Sequence, residues 1–297
     1  MSWHTLVSAE QAAAELGNPR LRIFDCRYEL ARPAAGHEAY LAGHLPGAVY
    51  ADLHHDLAAP ATARSGRHPL PGPQDFAAKL RQWGVDDDSA ILVYDDATGM
   101  WASRFWWMTA RWLGHAQVAV LDGGLRRWRE LGLPTTTELP AARARGNFTA
   151  RPDPTAAVDA DTTQAAALDP QRRVLDARAA ERYRGEVEPI DPVAGHVPGA
   201  RNHPSSGVVA ADGRFLPPAD LARSFTAQLG GVPAADTITM CGSGVTACHL
   251  LLAMEHAGLR GARLYAGSWS EWSRDPARPV ARGGAPGQIS CLRQPPQ

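Results

Sequence analysis

Six consecutive residues, Cys241-Gly242-Ser243-Gly244-Val245-Thr246, hold the most reactive combination of side chains in this 297-residue chain. The thiol follows a short β-branched run, "TITM", and precedes an apolar periodic run, so it stands at a strand end with a helix behind it. Gly242 and Gly244 permit the left-handed angles that a tight reversal needs. A loop reversed in this way turns successive N–H groups toward one point, and the helix N-terminus adds partial positive charge there. Such surroundings favour thiolate over thiol and make Cys241 a nucleophile by placement. Ser243 and Thr246 add hydroxyls, the second as a cap for the following helix. The other thiols differ. Cys248 lies inside that helix, roughly 10 Å along its axis and too far for a relaxed disulfide. Cys26 reads as packing after a strand, and Cys291 falls in a Pro/Gly/Gln-rich tail.

The elements that carry this loop occur twice. "RIFDCR" (22–27) is answered by "RVLDAR" (173–178), "GHLPGA" (43–48) by "GHVPGA" (195–200), "AILVYDDATG" by "TITMCGSGVT", and "VLDGGLRRW" by "LYAGSWSEW". A period of about 150 residues is a duplicated domain, since solenoid repeats run about 20 to 50 residues. In each half, short apolar strands alternate with helices, such as 218–230 and 246–258; in the latter Ala247, Leu250, Leu251, Met254 and Ala257 share one face. The alternation predicts an α/β fold, each half a mostly parallel sheet with helices on both faces and ligands at the carboxyl ends of the strands. The boundaries expected are a first domain over 1–133, a linker over 134–155, a second domain over 156–285 and a flexible tail over 286–297. The first half carries Asp95 where the second carries Cys241, so only the second half has the nucleophile.

Thirty basic against 31 acidic residues leave a net charge of −1, which argues against nucleic-acid or acidic-lipid surfaces as partners. The chain has no apolar run of about 18 residues and no basic-then-apolar leader, and its four cysteines have neither metal-ligand spacing nor scaffold density. A cytoplasmic protein with no metal, no cofactor and no membrane or nucleic-acid partner is expected.

With these motifs the chain resembles the two-domain rhodanese-type sulfurtransferases over residues 5 to 283. The likeness rests on the paired Asp-x-Arg strand ends (Asp25 to Arg27, Asp176 to Arg178), both G-H-x-P-G-A loops, the D-G-G-x-x-x-W element and the Asp95 replacement. The loop CGSGVTAC is similar to that of the 3-mercaptopyruvate sulfurtransferases, whereas thiosulfate-preferring members carry basic residues in the loop. The resemblance implies tandem rhodanese-like domains and a double displacement. Cys241 takes sulfur from a small-molecule donor as a persulfide and passes it to a thiol, thioredoxin or cyanide. It also implies that Arg182 binds the donor carboxylate and that Ser243 assists the departing enolate. The loop residues Gly242, Gly244, Val245 and Thr246 would line the donor site, and His44 would transfer protons. His196, in the half-repeat that matches His44, has a turn or packing role, and Asp25 and Asp176 make internal hydrogen bonds. The sequence departs from the family at Ile190, where many mercaptopyruvate enzymes have a second arginine; Arg184 is the nearest substitute.

Two other classes fit the loop less well. A cysteine phosphatase needs an arginine six positions after the thiol, and residue 247 is alanine. A purely binding or regulatory rhodanese module would not need Cys241 in its glycine-rich loop, although the first half, with Asp95, fits that description.

Overall fold

The computed structural model describes residues 3–96 and 98–287, which divide into two compact units. The first runs up to Ala59 and includes Leu70–Pro154 and Val209–Phe215; the second comprises Pro60–Pro69, Thr155–Val208 and the chain from Leu216 onward. Cys291 and most of the expected tail lie outside the described residues.

The first unit is built on β1 (Leu6–Val7), β2 (Leu21–Asp25), β3 (Ala48–Tyr50), β4 (Ala90–Tyr94) and β5 (Val118–Leu121), in the order β1-β5-β4-β2-β3 with every pair parallel. The second repeats it with β6 (Ala157–Val158), β7 (Arg173–Asp176), β8 (Arg201–Asn202), β9 (Thr237–Met240) and β10 (Arg263–Tyr265), ordered β6-β10-β9-β7-β8 and again parallel. Every residue of β4 and β9 is buried, so both faces of each sheet are covered. That is why these strands read as unbroken apolar or β-branched runs and do not alternate. The helix Pro218–Leu229 buries Leu221, Phe225 and Leu229 along one stripe, and Thr246–His256 buries eight consecutive residues from Ala247 to Met254.

The register places chemistry at one end of the sheet. Asp176, the last residue of β7, pairs with Met240, the last of β9, so the loop from Cys241 begins beside the Asp-x-Arg turn. There Arg178 donates to both oxygens of Asp176 and to the carbonyl of Gly195, tying the strand end to the G-H-x-P-G-A loop. Arg27 does the same with Asp25 and Gly43 in the first unit.

The domain limits read from the sequence shift in three places. Residues 60–69 fold with the second unit and 209–215 with the first. Residues 134–154, expected as a linker, pack as part of the first unit: Thr136 exchanges backbone hydrogen bonds with His44, Gly146 donates to the Arg81 carbonyl, and Phe148 is buried. Extended segments of this kind have no helical or alternating period by which the sequence could announce them.

Candidate active site

Cys241 leaves β9 buried, and its sulfur accepts the Gly244 N–H at 3.2 Å. Gly244 is at φ +80°, and a methyl group there would meet the Ala266 carbonyl at 2.4 Å, so conformation and space both require glycine. Gly242 differs from expectation, because it is not among the positive-φ residues. It is small for another reason: a methyl carbon at Gly242 would lie 3.1 Å from Nη2 of Arg67 and 3.6 and 3.9 Å from Nη1 and Nη2 of Arg182.

The loop is held from β10 and the turn after it. The Cys241 N–H donates to Ser268 Oγ (3.0 Å), which donates to the Tyr265 carbonyl. The N–H groups of Trp269 and Ser270 donate to the carbonyls of Cys241 and Gly242. Val245, not Thr246, occupies the cap position of the helix Thr246–His256, and no side chain caps it; Thr246 is the first helical residue. The expected Thr246 cap fails because the helix starts one residue earlier than a cap at Thr246 requires, which puts the hydroxyl inside the first turn.

Two residues that sequence reasoning passed over complete the arrangement. Residues 60–69 are pinned within the second unit by Arg274, which donates to the Ser65 carbonyl, and by the Arg67 N–H donating to Ser270 Oγ. His68, buried, then lies with Nδ1 2.8 Å from Ser243 Oγ. Arg67 pairs with Asp191, which also receives Arg182 at 3.4 Å; Arg182 donates to Glu188 at 2.6 Å. Burial opposes ionisation of Glu188, but the Arg182 hydrogen bond and the N–H groups of Asp191 and Ile190 outweigh it and hold its carboxyl below the usual range. Asp191 goes the other way: burial, with repulsion from Glu188, pushes it up despite the pull of Arg67 and Arg182. In the sequence Arg67 and His68 are no more than a charged pair in a Pro/Gly-rich loop of the first half, with His68 175 residues before the Ser243 that it meets.

Cys241, Gly242, Ser243, Gly244, Val245, Thr246 and Arg182 all belong to this constellation. His44 does not. It lies in the first unit with Nδ1 facing the Tyr40 carbonyl (2.7 Å) and Nε2 the Glu138 carbonyl (3.1 Å), its ring stacked on Tyr40. Both of its nitrogens thus face backbone carbonyls, as do those of its repeat partner His196, which face the carbonyls of Tyr183 and Pro286. Arg184 pairs instead with exposed Glu186. Cys26, Cys241 and Cys248 are free thiols, and Cys248 donates to the Gly244 carbonyl.

A buried sulfur with a loop amide on it, a serine–histidine pair and two guanidinium groups can receive an anionic donor, stabilise negative charge on sulfur and handle one proton. The Rhodanese-like domain family matches residues 8–131 and 159–275. The chain belongs to the rhodanese family. It is 49% identical over 285 residues to a "Probable 3-mercaptopyruvate sulfurtransferase" of Pseudomonas aeruginosa, covering 95% of this rhodanese and all of that protein. It is 41% identical to SseB of Mycobacterium tuberculosis, named as a candidate thiosulfate sulfurtransferase, over 94% of this chain and 98% of the other. The crystal structure of SseA from Escherichia coli, a 3-mercaptopyruvate sulfurtransferase, superposes with a TM-score of 0.76 at 33% identity, covering 91% of this chain and 100% of that one.

Proposed function

We propose that this rhodanese is a sulfurtransferase that takes sulfur from 3-mercaptopyruvate onto Cys241 and passes it to a thiol, thioredoxin or cyanide. The Cys241 thiolate attacks the donor sulfur, the carbon–sulfur bond breaks, and its electron pair enters the pyruvate enolate, which is protonated to pyruvate. Cys241 is left as a persulfide. An acceptor thiolate then attacks the outer sulfur and returns Cys241 as thiolate. The observation that carries this reading is the Gly244 N–H on the Cys241 sulfur within a buried loop: that donor sits on the atom that takes back the electron pair when the acceptor cleaves the persulfide. Ser243, oriented by His68, is placed to hydrogen-bond the donor's keto oxygen as enolate charge develops. That gives His68 the proton-handling task for which His44 is unsuited. Arg182 holds the donor carboxylate.

Thiosulfate is the second reading, and one observation favours it: the loop has no basic residue of its own, yet two guanidinium groups reach Gly242. Asp191 and Glu188 offset those charges, which suits a donor with one carboxylate better than a dianion. Free cysteines suit a reducing cytoplasm, where we place the protein. Among the described residues no helix is long and apolar enough to cross a membrane.

The test is intact mass after donor exposure, together with kcat/KM for both donors. Wild type is expected to gain about one sulfur atom, Cys241→Ser to gain none and lose turnover, and 3-mercaptopyruvate to give the higher kcat/KM. No mass gain with either donor would sink the transferase reading and favour a binding module; a higher value for thiosulfate would transfer the assignment to that donor.

A further inference from the structure

We infer that Arg67 is the second cation of the donor carboxylate site, doing from residues 60–69 what the chain gave up by placing Ile190 in the segment after Glu188. The inference rests on the mercaptopyruvate reading above. Four observations lead to it. Arg67 and Arg182 converge on Gly242, the residue next to the nucleophile, and Arg67 approaches it more closely. Asp191 pairs with both guanidinium groups, so the two are already spaced to share a single carboxylate. Arg67 is held for this task, since its N–H is fixed by Ser270 Oγ and Gly66 packs so tightly that a methyl group there would meet the Gly267 carbonyl at 2.5 Å. Arg184, the substitute nearest in sequence, is paired with Glu186.

Each guanidinium also retains capacity: the Nε atoms of Arg67 and Arg182 are buried and have no hydrogen-bond partner. A bidentate donor with one fork committed to Asp191 can offer its remaining edge to a second carboxylate. Asp191 is therefore a positioning residue that keeps the two forks in register. The ligand class is an α-keto carboxylate bearing sulfur on the next carbon. Its carboxylate is held across Arg67 and Arg182 while its keto oxygen meets Ser243.

The experiment compares wild type, Arg67→Ala, Arg67→Gln and the double variant Arg67→Ala/Ile190→Arg by steady-state kinetics with 3-mercaptopyruvate, with thermal midpoints measured in parallel. Expected for Arg67→Ala and Arg67→Gln is a KM raised about tenfold or more with kcat within about threefold of wild type, the pattern of lost ground-state binding. The arginine at position 190 is expected to recover most of that loss, which a purely structural role for Arg67 would not allow. A KM unchanged in both single variants, or a loss confined to kcat, overturns the assignment. Wild type that loads sulfur only from thiosulfate refutes the donor reading and this inference together, and it does so before any variant is measured, so the two failures are told apart.

Discussion

Asp95 and Cys241 hold matching positions in the two halves, and what each side chain accepts shows what the position is built for. The Asp95 carboxylate takes the N–H groups of Gly99 (2.9 Å), Trp101 (2.8 Å) and Ala102 (3.3 Å); the Cys241 sulfur takes that of Gly244. Both loops present amides to the side chain at the end of the central strand, a carboxyl group in one half and a thiol sulfur in the other. In the mechanism proposed above, the proton that accompanies enolate release falls to the His68–Ser243 pair, whose 2.8 Å contact puts the two groups within hydrogen-bond reach. His68→Gln keeps a polar side chain but cannot exchange a proton near neutral pH. It should lower kcat with 3-mercaptopyruvate on the order of 10²-fold while the thermal midpoint stays close to wild type. A kcat equal to wild type would remove His68 from the mechanism.

At the scale of elements, the connection from β10 to the helix Ser268–Trp272 clamps the reactive loop, and the clamp is duplicated. Leu125 and Arg126 donate to the carbonyls of Asp95 and Asp96 in the first unit, as Trp269 and Ser270 do to Cys241 and Gly242 in the second. The difference lies one residue earlier. Gly124 sits at φ +57°, a conformation natural to glycine, but its counterpart Ser268 adopts φ +53° with a side chain. That conformation costs about 1–2 kcal/mol for a residue with a Cβ. Its return is the Ser268 Oγ that receives the Cys241 N–H at 3.0 Å. The relief of strain and the loss of two buried hydrogen bonds, each about 1 kcal/mol, are of similar size. Ser268→Gly is accordingly expected to leave the thermal midpoint within a few degrees and yet reduce kcat about 3- to 10-fold, because the thiol is no longer fixed through its own amide. Unchanged kcat alongside a raised midpoint would mean that Ser268 serves no positioning role.

At the scale of the molecule, buried histidines make stability depend on acid. His203, buried against Phe225, is pushed down to about 4 because desolvation penalises its charged form; burial also lowers His115 and His196. A histidine depressed in the native state binds its proton first in the unfolded chain. Stability is therefore full above about pH 6.5 and declines as pH falls toward 4, by up to about 3 kcal/mol for His203 alone. The thermal midpoint should drop between pH 7 and pH 5, and His203→Phe, which keeps an aromatic ring on Phe225, should make that drop smaller. An equally large drop in the variant would show that His203 does not contribute.

The repeat, the parallel α/β halves, the strand-end thiol and the glycine loop were legible in the amino-acid order because each is written in local terms: unbroken apolar runs for strands buried on both faces, Gly at the reversal, and an Asp in the silent half. Arg182 stood out only through the family resemblance, and the fold brings its guanidinium to within 4 Å of where a methyl carbon at Gly242 would lie. What folding alone could decide was the company the thiol keeps. Arg67 and His68 come from the first half of the chain but pack with the second unit; Gly242 is small to admit guanidinium groups, not to bend; and His44, for all its reactive type, is spent on two backbone carbonyls. Those outcomes turn on contacts between residues far apart in the chain, and no periodicity or spacing records them, because a side chain's reactivity depends on which neighbours the fold brings to it.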